Sequence, residues 1–323
     1  MKATMVRRWV LAVVIAVSGV ASVHYANQER DEAAIAAVAA STGPTADQGG
    51  YRFARLTDPP RTVVTAASGA VVATLTDGSR TVVLVGPART FRDAKATVTS
   101  TAWVRLAPQP WSAGAERAAW FGPWLAGTAG STTPDVLAVA LQYTDGAPPV
   151  RDGTGLRIAG DAAFAEGADF DRYLGIAWHF PDGVRHRADP GRAGSLDSAG
   201  FVRLVYGYRE GYPLQGKDIA GTGLPRGAAA MAALGPGTPI VTDTGQRATG
   251  LTRLQPGDLL FFGPADRPGS PVSQVGLFLG LDGDGHRRVL ASRRSADGPA
   301  FGGASCLDGT GKYAQGFRAA KRL

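Results

Sequence analysis

The stretch Ser195-Leu-Asp-Ser-Ala-Gly-Phe-Val-Arg-Leu-Val-Tyr206 decides how the chain is read. A short polar entry is followed by apolar residues at Phe201, Val202, Leu204 and Val205, the spacing of a helix that buries one face. Asp197 stands where an N-cap belongs, so the predicted helix covers 197–209 and Ser198 faces outward at its N-terminus. The first turn of a helix carries partial positive charge and stabilises a developing anion, which is why thiol hydrolases place their nucleophile there. At this position the chain has a hydroxyl instead.

Downstream, three β-rich runs at 258–262, 275–279 and 288–292 are separated by polar, Gly-rich connections. A helix leading into antiparallel strands predicts an α+β domain, assigned to 131–323. The basic tail, 313–323, reads as a terminal helix. Upstream, Thr133-Pro134-Asp135 reads as a cap, a Pro at the first helical position and an early acid, starting a helix that continues through Tyr143. A short helix is expected at 168–174 within a loop-rich segment. Residues 51–112 read as strands, with β-branched runs at 62–65, 70–76, 81–86 and 97–106. Ser68-Gly69 and Asp77-Gly78 supply hairpin turns between them. The result is a small β-rich module, 51–130, with Trp111, Trp120 and Trp124 expected at its seam with the following domain.

Residues 1–26 carry Lys2, Arg7 and Arg8 ahead of an apolar run at 9–23, the pattern of a secretory signal or signal anchor. Gly19-Val20-Ala21 supplies a small-x-small cleavage site. Residues 27–50 form a tether ending in a Ser/Thr/Gly/Pro linker. The expected location is therefore outside the membrane, at the cell surface or released, with contact to the membrane through 9–23 where the segment is retained.

The 323 residues are 44% hydrophobic and 19% charged, with a net charge of +7. Nearly all 34 basic residues are Arg, and the short clusters Arg287-Arg288 and Arg293-Arg294 have no interleaved aromatics, so no nucleic-acid partner is expected. A single cysteine, Cys306, excludes a disulfide framework and a Cys-rich zinc site. The four histidines lack metal-type spacing. Asp282, Asp284 and Gly285 hint at a calcium loop, but the twelfth-position Glu is missing and a polar turn explains them. Neither metal nor cofactor is expected.

Five motifs in order resemble the NlpC/P60 family, papain-like cysteine peptidases that cleave stem peptides of bacterial cell walls. Tyr173-Leu-Gly-Ile-Ala-Trp178 resembles the glycine and aromatic loop ahead of the nucleophile. Leu196-Asp-Ser-Ala-Gly-Phe-Val-Arg203 resembles the Asp-Cys-Ser-Gly-Leu-Val helix start. Leu224-Pro-Arg-Gly-Ala-Ala229 resembles the Leu-Pro-Arg segment. Leu254-Gln-Pro-Gly-Asp-Leu-Leu-Phe-Phe262 resembles the Pro-Gly-Asp-Leu strand. Ser273-Gln-Val-Gly-Leu-Phe-Leu-Gly280 resembles the His-Val-Gly-Ile-Tyr-Leu-Gly strand. The resemblance spans about 168–295. It implies a papain-like α+β fold and ligand-binding positions at Asp197, Trp178 and Arg226.

The same resemblance removes the chemistry. The family's cysteine falls on Ser198, its histidine on Gln274 and its third polar residue on Ala291. A thiol near pKa 8.5 is readily turned into a thiolate, whereas a serine needs a general base. Gln274 takes up no proton near neutral pH, and Ala291 orients nothing. General-base assistance alone contributes roughly 10²–10⁴ in rate. The expectation is a catalytically degenerate domain that binds peptidoglycan stem peptide or a cell-envelope protein in a scaffolding or regulatory role. The alternative is an active wall-peptide hydrolase of γ-D-glutamyl-diamino acid endopeptidase type. It would use Ser198 with His179 as a substitute base, because His179 follows Trp178 at the family's aromatic position.

Overall fold

The computed structural model describes residues 47–48 and 50–323. The expected signal segment at 1–26 and most of the tether lie outside the described residues. Among the described residues no helix is long and apolar enough to cross a membrane.

The architecture is mixed α+β, with two six-stranded antiparallel sheets and short helices. The first sheet runs in sequence order: β1 (Asp47–Gln48), β2 (Tyr51–Thr57), β3 (Pro60–Ala66), β4 (Val71–Thr76), β5 (Thr81–Asp93) and β6 (Ala96–Leu106). Gly69 and Gly78 take φ of 86° and 76° in the two tight connections, a backbone that L side chains avoid. Val64, Leu75, Val82 and Leu84 fill one face of this sheet. The tryptophans differ from expectation. Trp111 belongs to this core, and Trp120 and Trp124 pack on it, with α1 (Phe121–Thr128) closing the face. Their indoles reach local acceptors, Trp111 the Thr62 hydroxyl at 3.1 Å and Trp124 the Leu106 carbonyl at 3.2 Å.

The β5–β6 hairpin is longer than its sheet and extends as an arm over the second half of the chain. Val98 and Val104 are wholly buried there among residues of the following domain, with Phe91 and Ala96 against the same core. At the arm's tip the Asp93 carboxylate accepts the N–H groups of Phe301 (3.3 Å) and Gly302 (3.1 Å). The module and the domain therefore share packed surface.

Helix α2 (Val136–Leu141) begins two residues later than its sequence suggests. Asp135 is the N-cap, accepting the Ala138 N–H at 2.9 Å, while its other oxygen takes Arg89 and the Val104 N–H. Two short pairs follow: β7 (Val150–Arg151) with β8 (Arg157–Ala159), and β9 (Ala163–Phe164) with a later strand. Helix α3 (Phe170–Leu174), capped by Asp169, precedes the hairpin β10 (Trp178–His179) and β11 (Arg185–His186). Strand β12 (Ser195–Leu196), the parallel partner of β9, leads into α4 (Ser198–Val202), which continues as a wider π-helical stretch over Arg203–Arg209.

The second sheet is built from β13 (Thr238–Val241), β14 (Leu259–Phe262), β15 (Gln274–Leu281), β16 (Arg287–Arg293), β17 (Gly298–Ala300) and β18 (Phe317–Arg322). Helix α5 (Ala228–Ala233) precedes it and α6 (Lys312–Gly316) enters its last strand. The spatial order is β13-β18-β14-β15-β16-β17. The tail is thus a strand and not the expected terminal helix. Only 312–316 are helical, and every residue of β18 is buried. Its arginines survive burial because acids wait for them: Arg322 meets Asp258 at 2.7 Å, and Arg318 meets Asp243 at 2.9 Å, while the Lys321 ammonium donates to the Met231 and Gly235 carbonyls. Desolvation pushes the Asp258 carboxyl up, against the pull of Arg322.

The carboxylate of Glu210, just past the π-helical stretch, makes no hydrogen bond or ion pair among the described residues, although its backbone N–H donates to the Val205 carbonyl. Burial pushes its carboxyl above the ordinary value, with Asp135 adding and Arg105 and Arg209 opposing. A raised folded-state pKa means the group's contribution to stability is complete below the unfolded value, about 4.3, and is lost as pH climbs through the folded value. Glu210→Gln is therefore expected to stabilise the protein at pH 7 by about 0.5 kcal/mol, held down by partial water contact. The gain should vanish near pH 4 in urea melts; equal gains at both pH values would refute the ionisation argument.

Candidate functional site

The site is assembled where α4 meets the second sheet. Asp197 caps the helix as its sequence indicates, accepting the Gly200 N–H at 2.6 Å. Gly200 is required by contact: a Cβ there would lie 2.2 Å from the Ala168 carbonyl oxygen and 2.8 Å from the Asp169 Cα. This close approach brings α4 beside the start of α3, and the Asp197 N–H donates to the Ala168 carbonyl at 2.8 Å.

Ser198 is the first residue of α4, but it is buried and does not face outward. Packing against β15 covers it. Its Oγ accepts a long hydrogen bond, 3.4 Å, from the Val275 N–H. Gln274 is therefore adjacent to Ser198 through the backbone of its neighbour. The Gln274 side chain makes no hydrogen bond among the described residues, and register sets it opposite Phe262 on β14.

Ala291 is not part of this meeting point. It is 1% exposed and belongs to a cluster with Phe262, Phe278, Val289 and Phe317. Val275, Leu277 and Leu290 instead join the core that contains α4. Strand alternation separates the two sets, since successive side chains leave opposite faces, and it directs the Gln274 side chain, next to Val275 and paired with Phe262, to the Ala291 side. A Cβ on Gly276 would sit 2.9 Å from that of Ala291, so the position has no room to orient a third catalytic group. The polar side chain near Ser198 on β16 is Ser292, whose Oγ donates to the Leu196 carbonyl at 2.8 Å. Nothing in its local sequence marks that role.

The structure does not bring His179 to Ser198. Trp178, its neighbour, packs edge-on against Phe170 (5.1 Å between centroids) and Tyr208 (5.9 Å). Tyr208 lies ten residues beyond Ser198 on the same helix, roughly 15 Å at the α-helical rise. His179 itself is exposed, pairs through its backbone with Arg185, and its ring makes no hydrogen bond among the described residues. Among the described residues Ser198 thus has no imidazole or carboxylate hydrogen-bonded to it.

Asp197 and Arg226, expected to bind ligand, bind each other at 2.6 Å. Arg226 also lies 3.6 Å from Asp169. Asp169 in turn holds Arg203, a wholly buried residue that local sequence reading missed. The Arg203 Nε donates to both Asp169 oxygens at 2.9 and 3.1 Å. Its Nη1 donates to the carbonyls of Gln215 (2.7 Å), Leu224 (2.7 Å) and Pro225 (3.0 Å). This network fixes α3, α4 and the Leu224-Pro225-Arg226 segment as one frame.

Ligand-capable atoms of Asp169, Asp171 and His186 lie within 4.8 Å of one another. Two guanidinium groups already neutralise Asp169, so a cation there meets their repulsion. Asp171 is fully buried and paired with the His186 Nδ1 at 3.2 Å, an anchor for the β10–β11 hairpin. A second group, Asp282, Asp284 and His286, is the β15–β16 turn. The Asp282 carboxylate is taken by Arg288 and by the N–H groups of Asp284 and His286.

No protein-family model matches the chain, and no curated protein matches its sequence.

Proposed function

We propose that residues 131–323 form an NlpC/P60-like domain of papain-like fold that binds without turning over. Its ligand is peptidoglycan stem peptide or a cell-envelope protein, in a scaffolding or regulatory role. One observation carries the absence of turnover. The Ser198 hydroxyl, at the N-terminus of α4, has the Val275 N–H as its hydrogen-bond partner, and among the described residues no side chain able to accept its proton is hydrogen-bonded to it. A serine without a base is a poor nucleophile at neutral pH. The five ordered motifs support the family reading, and the basic and apolar start at 1–26 supports export, with anchoring through 9–23 where it is uncleaved.

Digestion of purified muropeptides, read by mass spectrometry, tests the reading. The native chain is expected to leave them intact. Ser198→Cys/Gln274→His is expected to cleave them at least about 100-fold faster, the lower end of what a general base contributes. Ala291 is left unchanged in that variant because it is 1% exposed and crowded against Gly276, which leaves no room for an imidazole. Cleavage by the native chain that is lost in Ser198→Ala would overturn the inactive reading. Absence of muropeptide binding by the native chain, measured by calorimetry, would remove stem peptide as the ligand.

A further inference from the structure

The β10–β11 hairpin divides its side chains between two faces. On the inner face His186 reaches the buried Asp171, and Trp178 packs on Phe170 and Tyr208. The exposed polar side chains are those of His179, Arg185 and Arg187. Backbone pairing sets His179 directly opposite Arg185. Neither arginine side chain has a hydrogen bond or ion pair among the described residues. The two acids of this segment are already engaged. Asp182 accepts the N–H groups of Gly216 and Lys217, each at 2.9 Å. Asp189 lies between Arg172 (3.6 Å) and Arg192 (4.0 Å). The Arg187 backbone is itself held, its carbonyl accepting Arg172 Nη1 at 2.9 Å.

We propose that this face of the hairpin is a docking surface for a linear phosphodiester polymer, a polyol-phosphate or sugar-phosphate chain. Two features favour it. Guanidinium groups bind phosphate oxygens in pairs and remain charged at any physiological pH. Arg185 opens β11 and Arg187 directly follows its end, so where the extended course continues they repeat at about 6.6 Å. That spacing lets successive phosphates of an extended chain meet successive arginines. The surface lies outside the Ser198 site and does not depend on how that site is read.

The test is fluorescence anisotropy of labelled poly(glycerol phosphate) with the full chain at several salt concentrations. Arg185→Glu/Arg187→Glu is compared with Arg117→Glu/Arg151→Glu, which changes the net charge equally at exposed arginines elsewhere. The first variant is expected to bind at least 10-fold more weakly. Its slope of log affinity against log salt should fall by about 1.4, for two contacts at about 0.7 each on a single-stranded polyanion. The second variant should stay within twofold of the native chain. Arg185→Gln/Arg187→Gln is expected to show an intermediate loss and guards against a folding defect from charge reversal. Equal losses in both Glu variants would reduce the effect to overall charge and overturn the proposal. So would the absence of polymer binding, tighter binding to oligo(dT), or binding confined to phosphatidylglycerol vesicles.

Discussion

Gly200→Ala is expected to cost more than about 3 kcal/mol, at or beyond the upper range for overpacking, and to leave little folded protein in mild urea. The added methyl meets backbone, the Ala168 carbonyl oxygen at 2.2 Å and the Asp169 Cα at 2.8 Å, neither of which can swing aside as a side chain would. Relief requires α4 to move away from the Asp169 segment. That movement would stretch the Asp197–Ala168 hydrogen bond and the Arg203–Asp169 pair together. Gly122 in α1 is the control, since a Cβ there meets nothing within 4 Å. Gly122→Ala should be neutral or stabilising by up to about 1 kcal/mol, the helix-propensity difference. Urea midpoints for the two variants check this directly, and similar midpoints would mean that α4 and the Asp169 segment are not in the contact described.

Arg203→Met is the second large effect, expected at about 3–5 kcal/mol, the cost of stripping one partner from a buried ion pair. The substitution keeps much of the aliphatic stem but removes the guanidinium, which lies over the Phe170 and Phe180 rings and faces Asp169. Arg226, 3.6 Å away, compensates only in part. Three carbonyls, those of Gln215, Leu224 and Pro225, lose their donor at the same time. Arg203→Met/Asp169→Asn should recover about 1–2 kcal/mol relative to the single variant. The amide oxygen retains the cap on α3 without leaving an uncompensated charge. A double-mutant cycle from urea unfolding provides the measurement; additive losses would place the destabilisation in the carbonyls rather than in the stranded carboxylate.

What was legible in the chain depended on the range of the signal. The cap at Asp197, the helix it begins and the strands around 258–262, 275–279 and 288–292 follow from local pattern, and they occur as β14, β15 and β16 with small shifts at their ends. The tail was misread because Lys312 to Arg322 contains good helix formers, while the acids that let its arginines be buried, Asp243 and Asp258, lie far upstream. Arg203 and Asp169 were opaque for the same reason, being 34 residues apart. At the site, motif order located Ser198 and Gln274 but gave no account of sidedness. Whether Ala291 faces α4 or turns away is a one-residue question of strand register, which only the paired sheet answers.

Strand β18 lies between β13 and β14, and the Leu323 carbonyl beyond it accepts the Thr81 N–H of the first sheet at 2.5 Å. Of the described strands it is the last to leave a ribosome, yet it occupies an interior place. During synthesis β14 must therefore wait with an open flank, and all four of its residues, Leu259–Phe262, are ones the finished fold buries. An unpaired apolar edge is a template for association between chains. The half-made protein is consequently at its most aggregation-prone between the making of β14 and that of β18, and slowing elongation before residue 317 should lower its soluble yield more than the same delay placed before β14.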